Sequence, residues 1–111
     1  MRTFITVKAR KEGIHFWKDA PPEVHFLKNP HRHEFHFNVW IEVKHDDREL
    51  EFILVKRFIE SVLPPYEWGG KSCEMAAQDL SEAIKNKYGC DRELIIEVLE
   101  DGENGSILVL P

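Results

Sequence analysis

Two histidines one residue apart, His31 and His33, open the stretch His31-Arg32-His33-Glu34-Phe35-His36-Phe37, and a third, His15, lies upstream after another strand-like run. On an extended backbone residues i and i+2 point the same way, so the pair offers two imidazoles to one point in space. Three histidines with one position left open is the arrangement of a catalytic rather than a structural zinc. The metal case rests on histidine alone, because Cys73 and Cys90 form no Cys-x-x-Cys pair. With six histidines in the chain the spacing also arises by chance, which leaves metal-free strand-end histidines as the competing reading.

The elements that must position these residues are read from periodicity. Thr3 to Arg10 alternates Phe4, Thr6 and Lys8 against Ile5, Val7 and Ala9, as a half-buried strand does. Gly13 is expected to interrupt that strand before Ile14-His15-Phe16-Trp17 resumes it, and Pro21 and Pro22 then break the pattern. Val24 to Leu27 carries no clear period, and Lys28-Asn29-Pro30 marks a turn into the His-x-His segment. From Phe35 to Lys44 the alternation is clean: Phe35, Phe37, Val39, Ile41 and Val43 share one face, His36, Asn38, Trp40, Glu42 and Lys44 the other. That is an antiparallel strand with one buried face.

Residues 49–63 change period. Leu50, Ile53, Leu54, Phe58 and Val62 recur at helical spacing, widened by Phe52, Val55 and Ile59, with Asp46 or Asp47 as the expected cap. Pro64 and Pro65 stop that helix, and Tyr66 to Gly70 reads as a loop. Ser72 caps a second helix with Met75, Ala76, Leu80, Ala83 and Ile84 on one face, ending at Gly89. Glu93–Glu100 and Ser106–Leu110 read as strands joined by the hairpin signal Asp101-Gly102-Glu103-Asn104-Gly105. The order β-β-α-α-β-β predicts one α+β domain over residues 1–111, an antiparallel four-stranded sheet with both helices on its apolar face. The other face, with Trp40 and Asn38, must meet water or another subunit, and two open edges invite edge-to-edge assembly into a barrel.

A net charge of −5 argues against nucleic acid or an anionic membrane as partner. No apolar run reaches 18 residues and the amino-terminal stretch has no signal-like core, so a cytoplasmic protein is expected. Two cysteines make no disulfide framework and are read as free thiols.

With that order in hand, the chain resembles the 6-pyruvoyl-tetrahydropterin synthase and 6-carboxytetrahydropterin synthase family of the tunnelling (T-fold) superfamily, from about His15 to Val109. The first zinc histidine of the family, in a Phe-x-x-x-His segment, corresponds to His15, and the pair in its His-Gly-His-Asn-Tyr motif to His31 and His33, with Phe35 as the aromatic. The Asp-Phe-x-x-Leu-Lys that opens its first helix is similar to Glu51-Phe52-Ile53-Leu54-Val55-Lys56. Its Pro-Thr-x-Glu-Asn is similar to Lys71-Ser72-Cys73-Glu74-Met75, and its Val-x-Glu-Thr to Val98-Leu99-Glu100-Asp101. The resemblance implies zinc on His15, His31 and His33, a pterin- or purine-like ligand held by Glu100 with help from Ser72 and Glu74, and a homo-hexamer of two stacked trimers with pockets between subunits. The carboxylate has a physical reason: a pterin or guanine edge sets a ring N–H beside an exocyclic amine, and one carboxylate accepts both.

The family also moves protons with a cysteine shortly before the histidine pair and an Asp-His pair after the first helix. Here those places hold Phe26-Leu27-Lys28-Asn29-Pro30 and Leu63-Pro64-Pro65-Tyr66, so both halves of the relay are missing. General acid–base steps supply roughly 10²–10⁴-fold, so a slow or altered lyase is the most this set implies. His25 is the candidate substitute base, Cys73 lies near the expected pocket, and Arg32 replaces the glycine of the motif, adding a positive group for an anionic ligand. Three functions follow: a zinc lyase of tetrahydropterin or 7-deazaguanine biosynthesis, a non-catalytic pterin-, purine- or nucleotide-binding module, and a cupin-type metal-binding barrel. The interval from His33 to Glu42 is long for the last, and two amphipathic helices fit it poorly.

Overall fold

The computed structural model describes all residues from Met1 to Pro111. It is a mixed α+β fold: β1 (Thr3–His15), a 3₁₀ segment (Pro22–Lys28), β2 (His31–Val43), α1 (Phe52–Val62), β3 (Glu67–Gly69), α2 (Cys73–Tyr88), β4 (Leu94–Glu100) and β5 (Asn104–Leu110). The five strands form one open sheet in the order β3-β1-β2-β4-β5, antiparallel except for β3 against β1.

The alternation read from β2 holds: Phe35, Phe37, Val39 and Ile41 are fully buried. Their register partners Ala9, Val7, Val98 and Ile96 extend the same apolar face across β1 and β4. Val55 and Ile59 of α1 and Ala76, Ala77, Leu80 and Ile84 of α2 cover it, so both helices lie on one side. This single open sheet with helices on one face is not the closed barrel that the cupin reading requires.

Five expectations are corrected. The sheet has five strands, because Glu67–Gly69, read as loop, pairs with the end of β1 through Ile14 N–H to Tyr66 O (2.8 Å) and Phe16 N–H to Gly69 O (3.0 Å). Gly13 does not interrupt β1, which runs unbroken to His15; a Cβ there would lie 2.7 Å from Trp68 Nε1 and 3.0 Å from the Phe35 ring. The glycine lets the Trp68 indole settle against the sheet, stacked on Phe35 at 3.8 Å between ring centres. Helix α1 is capped by Glu51, whose carboxylate accepts from Ile53 N–H (2.9 Å) and Leu54 N–H (3.1 Å), not by Asp46 or Asp47. Its buried line is also narrower than its composition suggests, since Phe52, Ile53 and Leu54 are each more than half exposed. On α2, Met75 is exposed and Cys73 and Ala77 take core positions, while Ser72 caps as expected, accepting from Met75 N–H at 3.2 Å.

Candidate metal centre

Strand register assembles the site. His15 pairs directly with His31, and Gly13 pairs with His33, so three imidazoles project from the core face where β1 and β2 run past the end of β4. Ring centres lie 4.6 Å apart for His15 and His31, 5.4 Å for His15 and His33, and 5.0 Å for His31 and His33. One ligand nitrogen from each falls within 4.8 Å of the others. A tetrahedral zinc with bonds of about 2.0–2.1 Å holds its ligand atoms about 3.4 Å apart, a closure within reach of small ring rotations.

The other ring nitrogen of every histidine is already engaged. His15 Nδ1 donates to Lys71 O at 2.9 Å, His31 Nδ1 to Asn29 O at 2.8 Å and His33 Nδ1 to Asp101 Oδ2 at 2.7 Å. Carbonyl and carboxylate oxygens only accept, so each Nδ1 carries a proton, and Nε2 is the atom each ring has to offer an ion. His33 Nε2 is buried with no hydrogen-bond partner, an arrangement costly unless something fills it. A divalent cation fits this donor set: three imidazoles, each braced from behind.

Glu100 stands beside the triad. It pairs with Phe35 in register, and its Oε2 lies 3.1 Å from His15 Nε2 while its Oε1 lies 3.5 Å from His33 Nε2. From there a cavity of about 490 Å³ opens, walled by Trp17 and Leu27 on one side and by Ser72, Glu74 and Ser106 on another. Glu74 Oε1 accepts from Ser106 Oγ at 2.7 Å, a bond that lowers the Glu74 pKa from its ordinary value. The one nearby ammonium, Lys71 Nζ, is paired with Asp79. Two carboxylates thus face a space whose basic group is neutralised, which suits a ligand edge rich in N–H donors.

The structure therefore brings His15, His31, His33, Glu100, Ser72 and Glu74 to one place. It does not bring His25, which stands exposed on the 3₁₀ segment away from the cavity wall. Arg32 points to the opposite face of the sheet, where Nη1 pairs with Glu12 Oε1 at 2.9 Å, so it supplies no charge to a ligand in the cavity. Cys73 lines the cavity, but burial, then the negative fields of Glu100 and Glu74, push its thiol up to about 12. With no cation beside it, the thiol stays protonated at neutral pH.

Sequence reasoning missed Asp101, Trp68 and the carbonyls of Asn29 and Lys71. Asp101 lay within a hairpin signal, and an acidic residue directly after Glu100 is indistinguishable there from ordinary turn chemistry. Its carboxyl is lowered below its usual value by Glu34 N–H, donated to Oδ1 at 2.9 Å, and then by His33. Compared with known proteins, the chain matches no family model and no curated protein.

Proposed function

We propose that this chain is a zinc-binding protein of the 6-pyruvoyl-tetrahydropterin synthase and 6-carboxytetrahydropterin synthase type, taking a planar pterin- or purine-like ring in the cavity beside the metal. The observation that carries the reading is the histidine triad, with three Nδ1–H groups spent on oxygen acceptors and three Nε2 atoms left for one ion. His15, His31 and His33 hold the zinc, which when bound polarises an oxygen of the ligand side chain. With those Nε2 lone pairs committed, the Glu100 carboxylate is free to accept a ring N–H and an exocyclic amine together. Ser72 and Glu74 line the path to it.

One observation favours a binding module over a working lyase. The cysteine at the cavity is held as a neutral thiol and His25 lies elsewhere, so no group replaces the missing relay. The triad and the carboxylate support the ligand class in either case. Assembly into a homo-oligomer, a hexamer by the family pattern, is supported by the free β5 edge and by the apolar side chains on the helix-free face. No helix is long and apolar enough to cross a membrane, and a cytoplasmic location is proposed with that.

Elemental analysis of purified protein tests the metal: near-stoichiometric zinc in the wild type and a loss of at least about tenfold in His31→Ala are expected from the removal of one of three ligands. Equal zinc in both would remove the site. Mass spectrometry of heat-released small molecules is expected to show a pterin or purine. Incubation with 7,8-dihydroneopterin triphosphate, read by fluorescence of oxidised pterins, separates the lyase from the binder.

A further inference from the structure

Of the three oxygens that brace the imidazoles, two are neutral backbone carbonyls, and only the partner of His33 is a carboxylate. That carboxylate makes two bonds at once: Oδ1 accepts Glu34 N–H at 2.9 Å and Oδ2 accepts His33 Nδ1–H at 2.7 Å. Asp101 N–H also donates to Glu34 O at 2.8 Å. Backbone and side chain together therefore continue the β2–β4 pairing one step past Glu100, at the place where the histidines begin. The residue adopts φ 55 and is followed by Gly102 at φ 72, with Glu103 N–H closing on Glu100 O at 2.9 Å. Two left-handed central residues make the tight turn in which Asn-Gly and Asp-Gly are favoured. The turn alone is served as well by asparagine, so turn formation does not explain the carboxylate.

We infer that Asp101 is the positioning residue of the metal centre, holding His33 as the Nδ1–H tautomer with its ring turned so that Nε2 faces the nitrogens of His15 and His31. A carboxylate in this role also raises the basicity of the ligating nitrogen, which a carbonyl does less well. His33 needs it most. Its Nε2 is the buried atom without a partner, and a ring flip would put Cε1 in the place of that nitrogen and leave the triad one ligand short. Asp101 does not itself touch the ion. The inference rests on the zinc reading above and adds to it the group that orients one ligand.

The test uses the full chain and two substitutions that the turn tolerates, Asp101→Asn and Asp101→Gly. Asparagine places an acceptor at one of the two oxygen positions and a donor at the other, so in this geometry it serves Glu34 N–H or His33 Nδ1–H but not both, while glycine serves neither. Zinc affinity, measured by competition with a chromophoric chelator, is expected to fall roughly 10–100-fold in both variants. In metal-free protein above neutral pH, ¹⁵N spectra of the imidazoles are expected to show His33 protonated on Nδ1 in the wild type. In Asp101→Gly that preference is lost, while His15 and His31 keep theirs. A merely structural role would lower the melting temperature without moving the tautomer of one ring. Zinc affinity within about twofold of wild type in Asp101→Gly overturns the inference, as does an unchanged His33 tautomer in that variant. A wild-type chain that takes up no zinc overturns the metal reading instead, and the metal-free spectra then decide the part of Asp101 separately.

Discussion

His15 Nε2 and Glu100 Oε2 lie 3.1 Å apart, so the carboxylate stands beside the imidazoles and lines the cavity at once. Under the proposed function, zinc uptake and ring binding draw on different atoms of adjacent groups, and the two can be separated by substitution. Glu100→Gln keeps the shape and one acceptor oxygen but turns the other into a donor, which meets the ring amine with like polarity. Loss of a charge-assisted pair costs about 1.5–3 kcal/mol, so affinity for a pterin is expected to fall about 10- to 150-fold with zinc content unchanged. Titration of pterin fluorescence beside elemental analysis checks both halves; an unchanged affinity removes Glu100 from its role. His31 and His33 were legible in the sequence from residue type and the two-residue repeat of a strand, His15 from the strand-like run before it, and Glu100 only through the family resemblance. The roles of Asp101 and of the Asn29 and Lys71 carbonyls were not, since they arise from loops that meet only after folding.

At the scale of the elements, the clean alternation of β2 announced its own buried face, and the capping serine of α2 announced that helix. Strand β3 escaped notice because three residues carry too little period to detect, and its pairing depends on Gly13 making room for Trp68 across the sheet. The exposed first turn of α1 escaped for a related reason: Phe52, Ile53 and Leu54 fit a helical stripe in composition, but only Val55 and Ile59 are fully buried in the core. The connection into α1 is held by charge instead. Arg92 Nη2 binds Glu49 Oε2 at 2.8 Å and its Nη1 binds Glu49 Oε1 at 3.1 Å and Glu42 O at 2.9 Å, clamping the end of β2 to the start of β4. The guanidinium, with Lys44 N–H, holds the Glu49 carboxyl down from 4.5 to about 2. A carboxyl lowered on folding contributes stability that is full above its unfolded value and is lost as pH falls through 4.5 toward 2. With solvent screening of this partly exposed pair, the wild type is expected to lose about 1–2 kcal/mol more than Glu49→Gln across that window. Urea unfolding of both at pH 6 and pH 2.5 measures the difference, and parallel losses would remove the clamp from the account.

Over the whole molecule, the sheet is covered on one side only. Across the bare side Thr6, Trp40, Ile95 and Val109 align in one row by register, and Ile107 stands one row along beside Glu97. Ile107 is 60% and Val109 66% exposed, and the outer edge of β5 has no neighbour. Apolar side chains beside an open strand edge are the pairing surface that proteins otherwise blunt with charge. Val109→Lys is expected to shift an assembled wild type toward single chains in light scattering while sparing the fold, since this side chain packs on nothing buried. A wild type that already runs as a monomer would end the oligomer proposal. The acceptors behind the imidazoles carry a separate consequence. They belong to the turn before β2, the stretch before α2 and the β4–β5 hairpin, three parts of the chain far apart in sequence. An ion shared by the three rings would be a rivet through all of them, so loading with a divalent cation is expected to shut those stretches against proteases.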